Sequence, residues 1–316
     1  MGKDYYQPSN NYERNFMMIK KFSGRITVLL IPVLFFISIV CSCYLNVIDQ
    51  PPLEITILKV LTSKLNFNLE LGSFETLFLM TKILFSGFCI FSLLYVFFKS
   101  KNTSFESNPD FGYSLIHKFS IVEMVLSAFG FLSMLAVTAV FMFGKTEQFE
   151  AIGAAFYMTV NDLKAYKLTI VILLILIDII LFLMIWFSQS QTDFMKYIRL
   201  SLVESVPKNK GAHTYGVFSM VFAIFFMAIA AFLTFMYYCY QDAFSGFGIS
   251  LEKTYVCISL LLAYIKGLIP FILAVNAFSY SSMIDQINTI GSVVYNDYQV
   301  FGEAEDPNMS RRNKKL

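Results

Sequence analysis

Six apolar runs of 20–25 residues, at 26–48, 77–98, 119–143, 168–187, 215–238 and 256–279, divide this chain of 316 residues. That is the length a helix needs to cross a hydrocarbon core about 30 Å thick, at ~1.5 Å per residue. No run carries more than one acid or base, and polar segments separate them. Strands of a membrane barrel alternate apolar and polar residues over about ten positions, and no such alternation occurs. Charged residues make up 15% of the chain, well below the roughly 25% of ordinary soluble domains. The pattern predicts an all-α membrane protein, a six-transmembrane-helix bundle.

Lysine and arginine orient it. Taking the N-terminus as inside, residues 1–25, 99–118, 188–214 and 280–316 carry 5, 3, 4 and 4 of them. The opposite loops 49–76, 144–167 and 239–255 carry 2, 3 and 1. The excess of 16 over 6 predicts N-in/C-in topology in the cell membrane, with both termini cytoplasmic. The basic cluster Lys20, Lys21 and Arg25 precedes a run too long for a signal-peptide core, and no small-x-small cleavage site follows.

Three segments follow from this: a cytoplasmic tail over 1–24, a transmembrane domain over 25–280 and a second cytoplasmic tail over 281–316. The first tail, polar and rich in Tyr and Asn to residue 19, reads as mobile. Within the first outer loop, 51–65 is amphipathic. Leu53, Ile57, Leu58, Val60, Leu61 and Leu65 share one side of a helix and Thr56, Lys59, Thr62 and Ser63 the other, with Ile55 as the exception. Such a segment lies on the membrane surface or caps the bundle. The odd spans open on Phe22-Ser23, Phe119-Ser120 and Phe218-Ser219, 97 and 99 residues apart. This hints at a weak three-hairpin repeat, although two-residue matches also arise by chance in a chain with 35 Phe.

Intramembrane charge is the strongest functional signal. Lys266 lies near the middle of the last span, where insertion costs roughly 2.5–3.5 kcal/mol unless the charge is compensated. Asp178 lies ten residues beyond the start of the fourth span, as Lys266 does in the sixth. Both spans run in the same direction, so an Asp178–Lys266 pair is the simplest compensation, either on a transport path or as a static register lock. Gly267 and Pro270 predict a helix break at the same depth, because proline cannot donate to the Lys266 carbonyl. Glu123 and Asn276 are secondary polar candidates. Glu123 is expected to reach the interface or pair with His117 or Lys118, and Asn276 to bond between helices. Lys82, five residues inside the second span, is expected to extend its stem to the interface. Small residues concentrate in the third and fifth spans, from Ser127 to Ala139 and from Ala223 to Ala231, and are expected at the bundle centre.

The two histidines, His117 and His213, cannot supply a His-rich metal site. No phosphate-binding lysine loop, GxSxG elbow, CxxC or dinucleotide glycine run is present. The reading therefore names no catalytic residue, no metal and no cofactor. The C-terminal RRNKK reads as a topology anchor or a contact to anionic lipid, not to nucleic acid. The function expected is that of a permease-like transport protein or transporter membrane subunit. Its partners are the lipid bilayer and either other membrane subunits or a separate ATPase. The alternative is a non-catalytic scaffold or accessory protein in which the charge pair is structural.

The topology predicts which cysteines an impermeant maleimide reaches in intact cells. In a cysteine-free background, Ser63→Cys and Ser245→Cys label at once, and Ser107→Cys labels only after permeabilisation. The reverse pattern inverts the protein.

Overall fold

The computed structural model describes residues 11–57, 72–103, 110–144, 167–202, 209–239 and 252–302. Every long element among them is a helix: α1 (Asn11–Ser23), α2 (Ile26–Val47), α3 (Gly72–Asn102), α4 (Tyr113–Phe143), α5 (Lys167–Ser201), α6 (Ala212–Cys239) and α7 (Lys253–Gly302). Six stretches are long and apolar enough to span a membrane: Glu13–Val47, Leu79–Asn102, Tyr113–Phe143, Ile170–Ser201, Ala212–Cys239 and Lys253–Thr289. The protein is a multi-pass membrane protein. Helix is the form this sequence must take there, since hydrocarbon offers no partner to a free N–H or C=O. Phe129, Leu132, Ile180, Phe225 and Phe235 are exposed on the helix surfaces, as residues solvated by lipid are.

The helices outrun the apolar runs. The predicted polar tail holds α1, whose Phe16, Ile19 and Phe22 are buried. These recur at helical spacing on one side of α1, a pattern masked by Glu13, Arg14 and Asn15 before them and by Lys20 and Lys21 between them. At the other end, α7 continues past 279, with Ile284 and Ile287 buried on the same period. Residues 303–316, with the basic terminus, lie outside the described residues, as do 58–65 of the amphipathic segment. The part of that segment described is helical over 53–57. Its Leu53 is 1% exposed and Ile57 packs against the same core, so it caps a helix end.

Two compact units divide the chain: Met1–Tyr113 with Tyr197–Leu316, and Ser114–Lys196. In the first, α7 packs on α6 and α2, α2 packs on α3, and α1 touches α3 and α7. One end of this unit is filled by Cys41, Leu45, Leu53, Leu233, Tyr255 and Leu262. A middle layer is made of Ile31, Ile265 and Ile269 with Leu34, Phe35 and Leu93 against it. At the α1 end, Phe16 meets Phe111 and Phe22 meets Tyr280, while the Ser23 and Tyr113 hydroxyls lie 2.8 Å apart.

The second unit is an antiparallel hairpin of α4 and α5. Phe131 meets Phe182, Thr138 bonds Asp178, and Phe141 packs against Ile170, Val171 and Leu174. The small residues of the third span do not line a centre here. Ser133, Ala136 and Ala139 are exposed, and a Cβ at Gly130 would meet nothing within 4 Å. In α6 the expectation holds in part: Ala223 and Ala230 are buried, and Ala228 and Ala231 are exposed.

The break expected at Gly267 and Pro270 is not seen, since α7 runs as one helix with Pro270 inside it. A proline forfeits one ladder bond, which membrane helices tolerate when neighbours hold the helix. Gly267 has a different use. A Cβ there would lie 2.7 Å from Met227 Cγ and 3.2 Å from the Met227 nitrogen, so its absence sets how closely α6 and α7 approach.

Gly267→Leu is therefore expected to destabilise the purified protein by about 1–3 kcal/mol through overpacking, seen as a lower melting temperature in detergent. Met227→Ala in the same chain restores part of the loss, and Gly130→Ala leaves stability unchanged or raised.

Candidate functional site

The site begins where α2 ends. Asp49 takes the left-handed conformation (φ 52°), which aspartate tolerates better than most residues. Its N–H then donates to the Asn46 carbonyl at 3.1 Å, and the Gln50 N–H to the Leu45 carbonyl at 3.0 Å. These bonds close the helix end as a left-handed cap does. Pro51 and Pro52 stop any continuation. The chain turns back, and the Pro52 carbonyl accepts from the Ile55 and Thr56 N–H groups. Tyr255 of α7 ties the turn down, donating from its hydroxyl to the Pro51 carbonyl at 2.8 Å and lying 3.0 Å from the Thr56 hydroxyl.

With Leu53 and Ile57 anchored in the core, Glu54 faces α7. Lys266 Nζ donates to Glu54 Oε1, and the two form an ion pair. Lys266 therefore has a partner supplied by the connection after α2. Their side chains are 35% and 24% exposed, so the pair is neither dry nor fully solvated. Attraction between unit charges at 4 Å runs from about 1 kcal/mol in water to about 4 kcal/mol at an effective dielectric of 20. The upper end of that range offsets the roughly 3 kcal/mol cost of a mid-membrane lysine.

A second lysine shares the place. Lys82 of α3 donates to Ser42 Oγ of α2, and Ser42 passes a hydrogen bond on to the Ser38 carbonyl at 2.8 Å. Lys82 feels the charges of both Lys266 and Glu54. Both lysines line one cavity of about 450 Å³. Its polar lining also includes Ser42, Asn46 and Asp49, and its apolar walls include Leu45, Pro52, Ile55, Leu79 and Leu262. That volume falls within the range of small-molecule sites, which are likewise apolar with a few placed polar groups.

Asp178 and Lys266 fall in separate units, and each is bonded within its own. Asp178 is 8% exposed, and its Oδ2 accepts the Thr138 hydroxyl at 2.7 Å. Glu123 is half-buried in α4, and its Oε2 has no hydrogen-bond partner among the described residues. Asn276 lies towards the α1 end of the first unit, where its Oδ1 accepts from Thr27 at 2.6 Å. Next to it Arg25 donates to Ser279. Beyond these, a cleft of about 500 Å³ is lined by His213, Phe278, Ser281 and Asp285. The five cysteines are unbridged.

The residues that sequence reasoning missed are Glu54, Ser42 and, as a site residue, Lys82. Glu54 lies in the amphipathic segment 51–65, whose pattern allows it to cap the bundle, but nothing in its neighbourhood signals which span it meets. Lys82 did carry a signal, being the second lysine inside a span beside Lys266. No protein-family model, curated protein or solved structure matches the chain.

If Glu54 holds Lys266, the two positions are energetically coupled. Glu54→Leu and Lys266→Met are each expected to cost about 1–3 kcal/mol, below the 3–5 kcal/mol of a fully buried broken pair. The double replacement costs less than their sum. Additive losses in a double-mutant cycle of melting transitions contradict the pairing.

Proposed function

We propose that this chain is a permease-like transport protein, or the membrane subunit of one, residing in the cell membrane with both termini cytoplasmic. One observation carries the reading: Lys82 and Lys266, from two different helices, converge on a ligand-sized cavity. Their like charges oppose each other, and a purely structural arrangement gains nothing from placing them together. Intramembrane charge lining a cavity is the usual mark of a substrate or ion path.

The order of side chains along α7 supports the same reading. Lys266 lines the cavity, Ile265 and Ile269 belong to an apolar layer with Ile31, and Asn276, Ser279 and Ser281 follow in polar contacts. A cavity at one end, a polar cleft at the other and an apolar layer between them fit a carrier open on one side. Transport by such a carrier moves that layer. If transport is driven by ATP, a separate ATPase supplies the energy, since this chain carries no phosphate-binding lysine loop.

The second reading is a scaffold in which the same contacts only fix helix register. The Tyr255–Pro51 bond and the Lys266–Glu54 pair favour it to the extent that they clamp the turn after α2 onto α7.

Purified protein in proteoliposomes separates the two. The transport reading expects saturable counterflow of at least one solute from a panel of small acids, amines and sugars. Lys82→Met is expected to abolish that flux while leaving elution volume and melting temperature unchanged. A scaffold moves none of them, and its Lys82→Met variant differs from the parent only in stability.

A further inference from the structure

The cavity's chemistry points to a ligand class. We propose that the Lys82–Lys266 cavity binds a molecule with a singly charged anionic head on an apolar body, its head on Lys82 and Ser42. This rests on reading that cavity as a ligand site.

The charges give the head. Lys266 is neutralised by Glu54. Lys82, half-buried, donates to the neutral hydroxyl of Ser42. Among the described residues no carboxylate forms an ion pair with Lys82. Asp49 also lines the cavity, but it is exposed at the end of α2, where water screens it. Among the described residues one cationic group thus remains without an ion-pair partner, and a single negative charge completes the site. Ser42 can serve that charge as well. Its hydroxyl now donates to the Ser38 carbonyl, a bond that polar residues in helices exchange readily for a better acceptor. A carboxylate or phosphate oxygen between Lys82 and Ser42 gains one charge-assisted and one hydroxyl bond.

The walls give the body. Leu45, Pro52, Ile55, Leu79 and Leu262 leave the greater part of the lining apolar, and these residues offer no further donor to a polyhydroxylated solute. Besides Ser42, the neutral polar side chains left to a sugar here are the amides of Asn46 and Gln50, so the hydroxyls it turns to the apolar walls lose their water without replacement, whereas an alkyl or aryl chain gains there by burial. A dianion leaves one charge unpaired and is disfavoured for the same reason. A free amphipathic acid and the headgroup of an anionic lipid share this chemistry, and they differ in the direction from which they enter.

Equilibrium binding of radiolabelled octanoate to the purified protein in phosphatidylcholine nanodiscs tests the proposal. Saturable binding is expected, with acetate and octylammonium competing at least about tenfold more weakly. Tenfold corresponds to ~1.4 kcal/mol, the scale of one charge-assisted bond. Lys82→Met weakens octanoate by about tenfold or more, Lys82→Arg keeps most of the affinity, and Ser42→Ala loses part of it. Lys82→Glu, checked for an unchanged elution volume, reverses the preference towards octylammonium.

A second arm separates the two sources. If phosphatidylglycerol in the nanodisc displaces octanoate from the parent but not from Lys82→Arg/Ser42→Ala, the head belongs to lipid. If it displaces nothing, the head belongs to a free acid. Either result supports the proposal, provided the Lys82 dependence holds. Absent octanoate binding, equal binding by Lys82→Met, or octylammonium competing as well as octanoate overturns it. Octanoate that binds but never crosses proteoliposomes defeats the transport reading and leaves the ligand class standing. Flux of a sugar or amine without octanoate binding does the opposite.

Discussion

A lysine at mid-membrane depth cannot stand alone, and much of the first unit is arranged around its compensation by Glu54. The acid comes from the connection rather than from another span. To bring it there the chain must end α2 in a left-handed residue, stop at two prolines and turn back into the bundle. Each of these steps has its own local cause in Asp49, Pro51-Pro52 and the Tyr255 hydroxyl. Leu53, buried in the core, supplies the hydrophobic anchor, and a fully buried leucine contributes on the order of 1.5–3 kcal/mol. The ion pair thus depends on ordinary turn chemistry and apolar burial, and it leaves a cavity where the fold-back meets α2, α3 and α7.

The helix α7 connects the rest of that unit. It packs on α6 and α2, and its side chains pass from lysine through an apolar layer to amides and hydroxyls. Gly267 lets it press against Met227 one residue from the charge. The α4–α5 hairpin is built differently. Its interior is a narrow seam of apolar contacts with a buried polar bond between the helices, Thr138 to Asp178. Ser133, Ala136 and Ala139 of α4 are exposed, so in this chain small size does not by itself mark a packed face.

The six spans were legible because their signal is length and apolarity, which any bilayer-crossing helix must show. Their ends were less so. The buried Phe16, Ile19 and Phe22 are diluted by polar neighbours, so α1 read as tail. Pro270 read as a break because loss of one N–H is visible in sequence, whereas the neighbours that keep α7 continuous are not. Lys266 was legible as a charge needing compensation. Matching depth proposed Asp178 because depth is the only coordinate that a list of spans provides. Glu54 could not be found that way, since its position depends on a turn that carries a loop residue back to the bundle. Lys82 was assigned to the interface on depth alone, and only the packing of α3 on α2 brings it beside Ser42.

The central claim is that residue 54 contacts residue 266 in the membrane-embedded protein. Disulfide cross-linking in native membranes tests it most directly, with Glu54→Cys and Lys266→Cys introduced together into a cysteine-free background. The account predicts rapid oxidation of this pair, and none when Glu54→Cys is combined with Asn276→Cys, at the other end of the same unit. An unreactive 54–266 pair, with Asp178→Cys joining Lys266→Cys in its place, would contradict it.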